Sequence, residues 1–447
     1  MSDMKTPILD FLRDYAERDP VRMHMPGHKG HGPLGVEQLD LTEVRGADSL
    51  YEASGIIAES EQIAGELFGA RTLYSAEGSS LSIRAMVYLT SLYAASRGES
   101  ARIVAGRNAH KSFITALAWV NAEVEWLESE SPDGYLSCAI TPDAVASAID
   151  RAEQPVTAVY LTCPDYLGNM ADIKGIAEVC HTRGVLLLVD NAHGAYLKFL
   201  EDSLHPIDLG ADMCADSAHK TLPVITGGGY LHVSRKAPDK LYLWARDAMS
   251  AFGSTSPSYL MLASLDACNA YLADGYPERL RATVDALNGT KSRLADLGFA
   301  IVGDEPMKLT LRTADIGYRG EEIAEILDNN GISVEFADCQ HVVLMPTPSD
   351  TDGLARLEEA MLKVVRGAPR NITAPRIPRA ERVIGLREAI LSPAEDVHID
   401  GAVGRVVARC GLSCPPAVCL LMPGERITED FIPVLRFYGI RSVAVTK

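Results

Sequence analysis

The sequence predicts an α/β protein, with a large domain built on a mostly parallel sheet and a smaller α/β region towards the C-terminus. Three observations predict it. Short apolar runs of strand length recur at 102–105, 158–162, 185–190, 213–215 and 230–233. Helical periodicity fills most of the intervals, as at 143–151 and 173–182. The runs are mainly apolar rather than alternating, as strands covered on both faces require.

The elements follow in order. Residues 8–16 (ILDFLRDYA) read as a short amphipathic helix, and 23–35 as a Gly, His and Pro loop. Helical periodicity runs through 56–68 and 80–95, and then strands alternate with helices. Residues 260–298 read as long helix. A smaller α/β stretch follows: strand 308–312, helix 321–329, strands 333–336 and 341–345, helix 352–364. Residues 367–380 carry three prolines and read as a linker, and 381–447 as a strand-rich section with a Pro415-Pro416 loop. The expected division is an N-terminal arm at 1–50, a large domain at 51–290, a small α/β domain at 291–370 and a C-terminal subdomain at 371–447.

Composition narrows the function. Among 447 residues, 42 are Lys or Arg and 60 are Asp or Glu, a formal charge of −18. That balance argues against a nucleic-acid backbone or an anionic membrane surface as partner. No run approaches the roughly 18 apolar residues of a membrane helix, and Met1 to Pro7 carries no secretory signal. Nine scattered Cys without a CxxC pair suit reduced thiols in the cytoplasm. No metal site is expected. Pro26 and Gly27 keep His24, His28 and His31 off a common helix face, and the spacing of Cys410, Cys414 and Cys419 matches no common zinc pattern.

Three stretches carry chemistry. Ser75 to Ser80 (SAEGSS) precedes a helical pattern, so Gly78, Ser79 and Ser80 stand where free N–H groups and hydroxyls gather an anion. Asp190 ends an apolar strand, where α/β sheets bind ligands; a carboxylate there can pair with a protonated ring nitrogen. Lys220, between His219 and Thr221 in a turn at the sheet edge, is a candidate Schiff-base amine. Each alone has a plainer explanation: a helix cap, a turn Asp, a surface Lys. Gly227 to Gly229 reads as a sharp bend into the next strand. Together the three supply what pyridoxal phosphate needs: a phosphate cradle, an acid for its ring nitrogen and a Lys for its aldehyde. Neither GxGxxG nor GxxxxGK[ST] occurs.

The chain resembles the pyridoxal-phosphate-dependent ornithine/lysine/arginine decarboxylases of bacteria, in their short form. The resemblance rests on HMPGHKG from His24, DLTE from Asp40 with GADSL from Gly46, EGSS from Glu77, RNAHKS from Arg107, DNAHG from Asp190, SAHK from Ser217 and STSPSY from Ser254. Ser392-Pro-Ala-Glu395, Pro415-Pro416 and Pro423-Gly-Glu425 continue it into the C-terminal region. It implies an aspartate-aminotransferase-like (fold type I) domain and a homodimer or higher assembly with shared sites. Lys220 would hold the cofactor, Asp190 its ring nitrogen, and His110 would stack on the ring. Ala192 and His193 would line it. Gly78, Ser79, Ser80, Ser217 and His219 would hold the phosphate, with Thr255 and Ser256 reaching the phosphate of the neighbouring subunit. The implied reaction removes CO₂ from a basic amino acid once its amine displaces Lys220. Lys220 or His219 would return a proton to Cα.

The chain departs from the family pattern at Asn191 (usually Glu), at Asp165 (usually Thr) and at Ala417-Val418-Cys419. These departures leave the choice among Arg, Lys and Orn open. Glu395 and Glu425 are candidates to meet the second cation of the substrate. Two other readings stand beside decarboxylation. One is an aminotransferase or lyase, in which Arg387 or Arg405 takes the α-carboxylate. The other is a non-catalytic regulatory homologue.

Overall fold

The computed structural model describes residues 4–127, 134–349, 352–411 and 417–447. Pro415-Pro416 and Cys414 lie outside them. The expected α/β architecture is present, built on a seven-stranded, mostly parallel sheet. Its strands are β1 (Ala70–Ser75), β2 (Arg102–Gly106), β3 (Glu123–Leu127), β4 (Ala158–Thr162), β5 (Leu186–Asp190), β6 (Met213–Asp216) and β7 (Gly229–Ser234). The order is β1-β7-β6-β5-β4-β2-β3. β5 pairs with β6 in parallel, as β2 does with β3, and β7 runs against both its neighbours. Strands β1 (ARTLYS) and β3 (EVEWL) are too polar for their pattern to announce them.

The chain divides into two compact units. The first comprises Met1–Ala101, Ala152–Leu161 and Ile173–Leu280. In it, helix Pro7–Arg18 buries Ile8 and Leu12, one turn apart on one face. Its proline stands in the first turn, where a missing N–H leaves no bond unmade. All five residues of β5 are buried, which is why its sequence (LLLVD) shows no alternation. The single long helix expected at 260–298 is two helices, Tyr259–Ala273 and Tyr276–Asp296. Gly275 parts them, with φ at 68°, a left-handed value that glycine adopts without strain.

The second unit comprises Arg102–Arg151, Thr162–Asp172 and Arg281–Lys447. It holds an antiparallel sheet of β8 (Ala300–Val302), β9 (Leu309–Arg312), β10 (Phe336–Ala337) and β11 (His341–Leu344), in the order β10-β11-β9-β8. Leu294, Leu309, Leu311, Ile323, Leu327, Val342 and Leu357 form its core. The strand expected at 333–336 is only the two-residue β10.

The section from 381 onward is less strand-rich than expected. Among the described residues, one ladder, β12 (Ala394–His398) with β13 (Ser442–Thr446), accompanies helices Leu386–Leu391 and Phe431–Phe437. Elsewhere in this section, strand pairing shrinks to isolated bridges such as Arg382–Glu425 and Val406–Arg426. Pro393, Gly401, Gly404, Pro423 and Gly424 interrupt its apolar runs before they can extend. Phe431, Val434, Ile399, Ile427 and Val445 close a core of their own.

Candidate active site

Strand β5 delivers Asp190 to the carboxyl end of the sheet. The side chain is 2% exposed. Oδ2 accepts a hydrogen bond from the Tyr160 hydroxyl of β4 at 3.1 Å, and Oδ1 accepts one from the Ala192 N–H at 3.1 Å. Burial pushes the carboxyl up from its ordinary range. The charge of Lys220, the Ala192 N–H and Tyr160 oppose that rise. A buried acid so placed is suited to a cation.

Strand β6 delivers the amine. It ends at Asp216, and Lys220 follows on the one-turn helix Ala218–Thr221 rather than in an open turn. Strand β6 lies inside the sheet, between β5 and β7, not at its edge. Lys220 Nζ stands 3.0 Å from His193 Nε2. His193 is itself buried, three residues after Asp190. The two turns thus bring together acid, amine and imidazole.

The third element is the start of helix Gly78–Ala95. Gly78 has φ at 66°, and its N–H bonds to Gly227 O at 2.5 Å. The Ser217 hydroxyl donates to Ser79 Oγ at 2.7 Å, joining the helix start to the turn before Lys220. A Cβ at Gly229 would lie 3.0 Å from Gly78 C and 3.1 Å from Ser79 N, so only glycine lets these backbones approach. The Gly227–Gly229 bend therefore shapes the cradle. His219 Nδ1 donates to Gly228 O at 2.9 Å, and its backbone N–H bonds to the same oxygen. Burial lowers the His219 imidazole, the Gly228 bond raises it and Lys220 lowers it again, leaving it below its ordinary value. Ser80 is half-buried in the first turn.

Thr255 and Ser256 are exposed. Their loop is tied to the cradle through Ser254, whose N–H donates to Glu77 Oε1 at 2.6 Å. In the second unit His110 caps helix Lys111–Val120, accepting from the Ser112 N–H at 3.2 Å. It also forms an isolated bridge with Val418, beside Ala417, which is in the left-handed region with φ at 54°.

The two acids proposed for the substrate cation each hold an Arg. Glu425 is 3% exposed and takes Arg107 at 2.7 and 3.0 Å through its two oxygens. Glu395, on the exposed β12, takes Arg405 at 2.7 Å. Asp165 is buried and accepts from the Leu167 and Asn169 N–H groups, both at 2.9 Å.

Sequence reasoning missed Tyr160 and a buried trio, His205, Asp216 and His232. A hydroxyl inside the apolar run AVYLT and an acid ending β6, as Asp190 ends β5, were the available signals. The trio sits where an ion could be suspected. Its hydrogen bonds account for it: both Nε2 atoms face Asp216 Oδ2, at 3.1 and 3.3 Å.

Comparison with known proteins decides the family. The Orn/Lys/Arg decarboxylase major domain matches residues 6–300, and the C-terminal domain of the same family matches 384–443. The chain belongs to the Orn/Lys/Arg decarboxylase family. It is similar to the arginine decarboxylase of Bacillus subtilis, at 30% identity over 97% of this chain and 93% of that one. The arginine decarboxylase of Halalkalibacterium halodurans is 29% identical over the same shares. In fold it resembles the lysine decarboxylase of Francisella novicida, with a TM-score of 0.82, 16% identity, and coverage of 100% of this chain and 82% of that one. More distantly it resembles the serine palmitoyltransferase of Sphingomonas wittichii, with a TM-score of 0.55, 14% identity, and coverage of 68% and 74%.

Orn/Lys/Arg decarboxylases are pyridoxal-phosphate enzymes, and the residues present fit that group. Asp190 is a buried acid that could face its ring nitrogen, and Lys220 an amine that could take its aldehyde. The Gly78–Ser79 helix start, whose backbone packs closely against Gly229, could cradle its phosphate. Thr221 Oγ1 is buried without a hydrogen-bond partner among the described residues, a spare donor beside Lys220.

Proposed function

We propose that this member of the family decarboxylates a basic L-amino acid, Arg, Lys or Orn, using pyridoxal phosphate held by Lys220. The observation that carries the reading is the convergence of Asp190, His193 and Lys220 beside the Ser79–Ser217 pair. The bound cofactor would supply an electron sink for the bond that breaks to CO₂. The chain supplies the rest. Asp190 would stay ionised against the ring nitrogen, its charge buried from water. Ser79, Ser80 and Ser217, at the helix start and the turn before Lys220, would hold the phosphate. His193 Nε2, 3.0 Å from Lys220 Nζ, can take a proton from that amine and return it. Lys220 or His219 would deliver the proton that replaces the carboxylate at Cα. One proton is consumed for each CO₂ released. Arginine heads the substrate panel, because the B. subtilis and H. halodurans relatives are named arginine decarboxylases.

The site in this reading is completed by a second subunit, with Thr255 and Ser256 facing the neighbour's phosphate. The rival aminotransferase reading needs an Arg for the α-carboxylate. Arg387 is bonded to Ala118 O and Trp119 O, and Arg405 to Glu395 and Thr446 O. The experiment is direct. The full chain is incubated with pyridoxal phosphate and Arg, Lys or Orn in turn, and CO₂ is assayed against keto acid. CO₂ from one substrate, lost in Lys220→Ala, is the expected result. Keto acid without CO₂, or no turnover of any of the three, would refute the proposal.

A further inference from the structure

Asp216 has no part in the chemistry above, yet it is as buried as any acid in the chain. The far side of each imidazole beside it fixes where the protons sit. Ile207 N–H donates to His205 Nδ1, so His205 carries its proton on Nε2, facing Asp216 Oδ2. The Thr72 hydroxyl lies 2.9 Å from His232 Nδ1 and can donate to it, which leaves that ring's Nε2 to donate to Asp216 Oδ2 at 3.3 Å. The other oxygen, Oδ1, accepts from Asn191 Nδ2 at 2.8 Å. Burial works against ionisation here, but the imidazoles, His205 foremost, outweigh it and hold the carboxyl well below its ordinary range. The Cys214 thiol also donates to Oδ1, at 3.3 Å. Asp216 is therefore an anion with four donors, in a position reached by no solvent.

The Asn191 bond joins the two turns of the site. Asn191 follows Asp190 and precedes His193; Asp216 precedes Ser217 and Lys220. Asn191 N also bonds to Ala215 O at 3.0 Å, so side chain and backbone tie the same two strand ends. A carboxylate at position 191 would face the ionised Asp216, whereas the amide of Asn191 matches it.

We propose that Asp216 is a positioning residue, which acts through Asn191 to hold the acid Asp190 and the amine Lys220 in register. The proposal rests on the reading that these two hold the cofactor, so that reading is tested separately. Borohydride reduction of the wild-type holoenzyme, followed by peptide mapping, should place the cofactor mass on Lys220. A mass elsewhere sinks the cofactor reading itself, whatever the variants do.

The variants then test the strut in the full chain, read by the visible circular dichroism of bound cofactor and its rate of release. Asn191→Asp sets two carboxylates against each other. Release should quicken about tenfold, with an altered dichroism signal. Asp216→Asn alone should stay near wild type in both, because the Asn191 amide can turn over: its Oδ1 has no hydrogen-bond partner among the described residues to lose. Asn191→Asp combined with Asp216→Asn restores a carboxylate–amide bond of reversed polarity, and should return release to within about threefold of wild type. Asn191→Ala removes the strut without adding charge, and should alter the dichroism in a chain that still melts cooperatively. An unchanged signal and release rate in Asn191→Ala would overturn the proposal. So would a double variant no closer to wild type than Asn191→Asp.

Discussion

Replacing Asp266 with Asn removes a buried carboxylate from beneath the first helix, and the consequence for stability follows from its surroundings. Asp266 is fully buried. Oδ2 accepts from the Ile8 and Leu9 N–H groups, both at 2.9 Å, and Oδ1 from the Ser60 hydroxyl at 2.5 Å. Burial outweighs these bonds and pushes the carboxyl up to about 6. In the unfolded chain an Asp titrates near 3.9. The folded state therefore binds the proton more tightly. Its contribution is fully present below about 3.9 and is lost as the pH rises through about 6, roughly 3 kcal/mol over the whole window. Between pH 5 and pH 7 the loss is about 1.3 kcal/mol. In Asp266→Asn the amide oxygen can still accept both N–H groups while the amide nitrogen faces Ser60, so the packing survives and the titration does not. Urea unfolding of both proteins, at pH 5, 6 and 7 and at equal cofactor occupancy, isolates the effect. The wild type should lose about 1.3 kcal/mol more than the variant across that range. Parallel curves, or a steeper loss in the variant, would refute the reasoning.

Three further outcomes are expected. Gly229→Ala puts a Cβ 2.8 Å from Asp216 O and against Gly78 and Ser79; titrations should show affinity for pyridoxal phosphate falling about tenfold more than affinity for phosphate-free pyridoxal, about 1.4 kcal/mol of phosphate-specific loss. Equal losses for the two would show that no phosphate sits there. Asp190→Asn should retain cofactor but lower the rate of CO₂ release at least a hundredfold, about 2.7 kcal/mol in the barrier; a rate within threefold of wild type would remove Asp190 from the chemistry. Arg107→Ala strands the buried Glu425, with the Met422 N–H at 2.7 Å still bonded to it, and should cost about 3 kcal/mol in urea unfolding, most of it recovered when Glu425→Leu is added. Recovery of none of it would show that Glu425 is not the source of the cost.

Much of this protein was legible in its sequence, and the reason differs from part to part. The apolar strands β4 and β5 and helices Ile56–Phe68 and Ile173–Thr182 follow from local pattern, because a sheet covered on both faces leaves no ambiguity of period. Gly78, Asp190 and Lys220 stand out as candidates in the sequence because the proposed chemistry depends on residue type at the ends of such elements. Strand β3 was not found, since an edge strand with Glu at two of five positions looks like loop. The 381–447 section was misread for the opposite reason: Phe431, Val434 and Leu435 are apolar at helical spacing, but a short helix leaves too few turns to distinguish it from a strand.

The sequence by itself determined the α/β class and the family, because each is a matter of residue type along the chain. Tertiary structure alone decided what each charged group faces. Glu425 and Glu395 meet Arg107 and Arg405, residues 318 and 10 positions away. His205, Asp216 and His232 come from three separate segments to one buried point, and Asn191 joins that point to Asp190. Hydrogen bonds and ionisation depend on distances of a few ångströms and on the exclusion of water, and only the folded chain sets either.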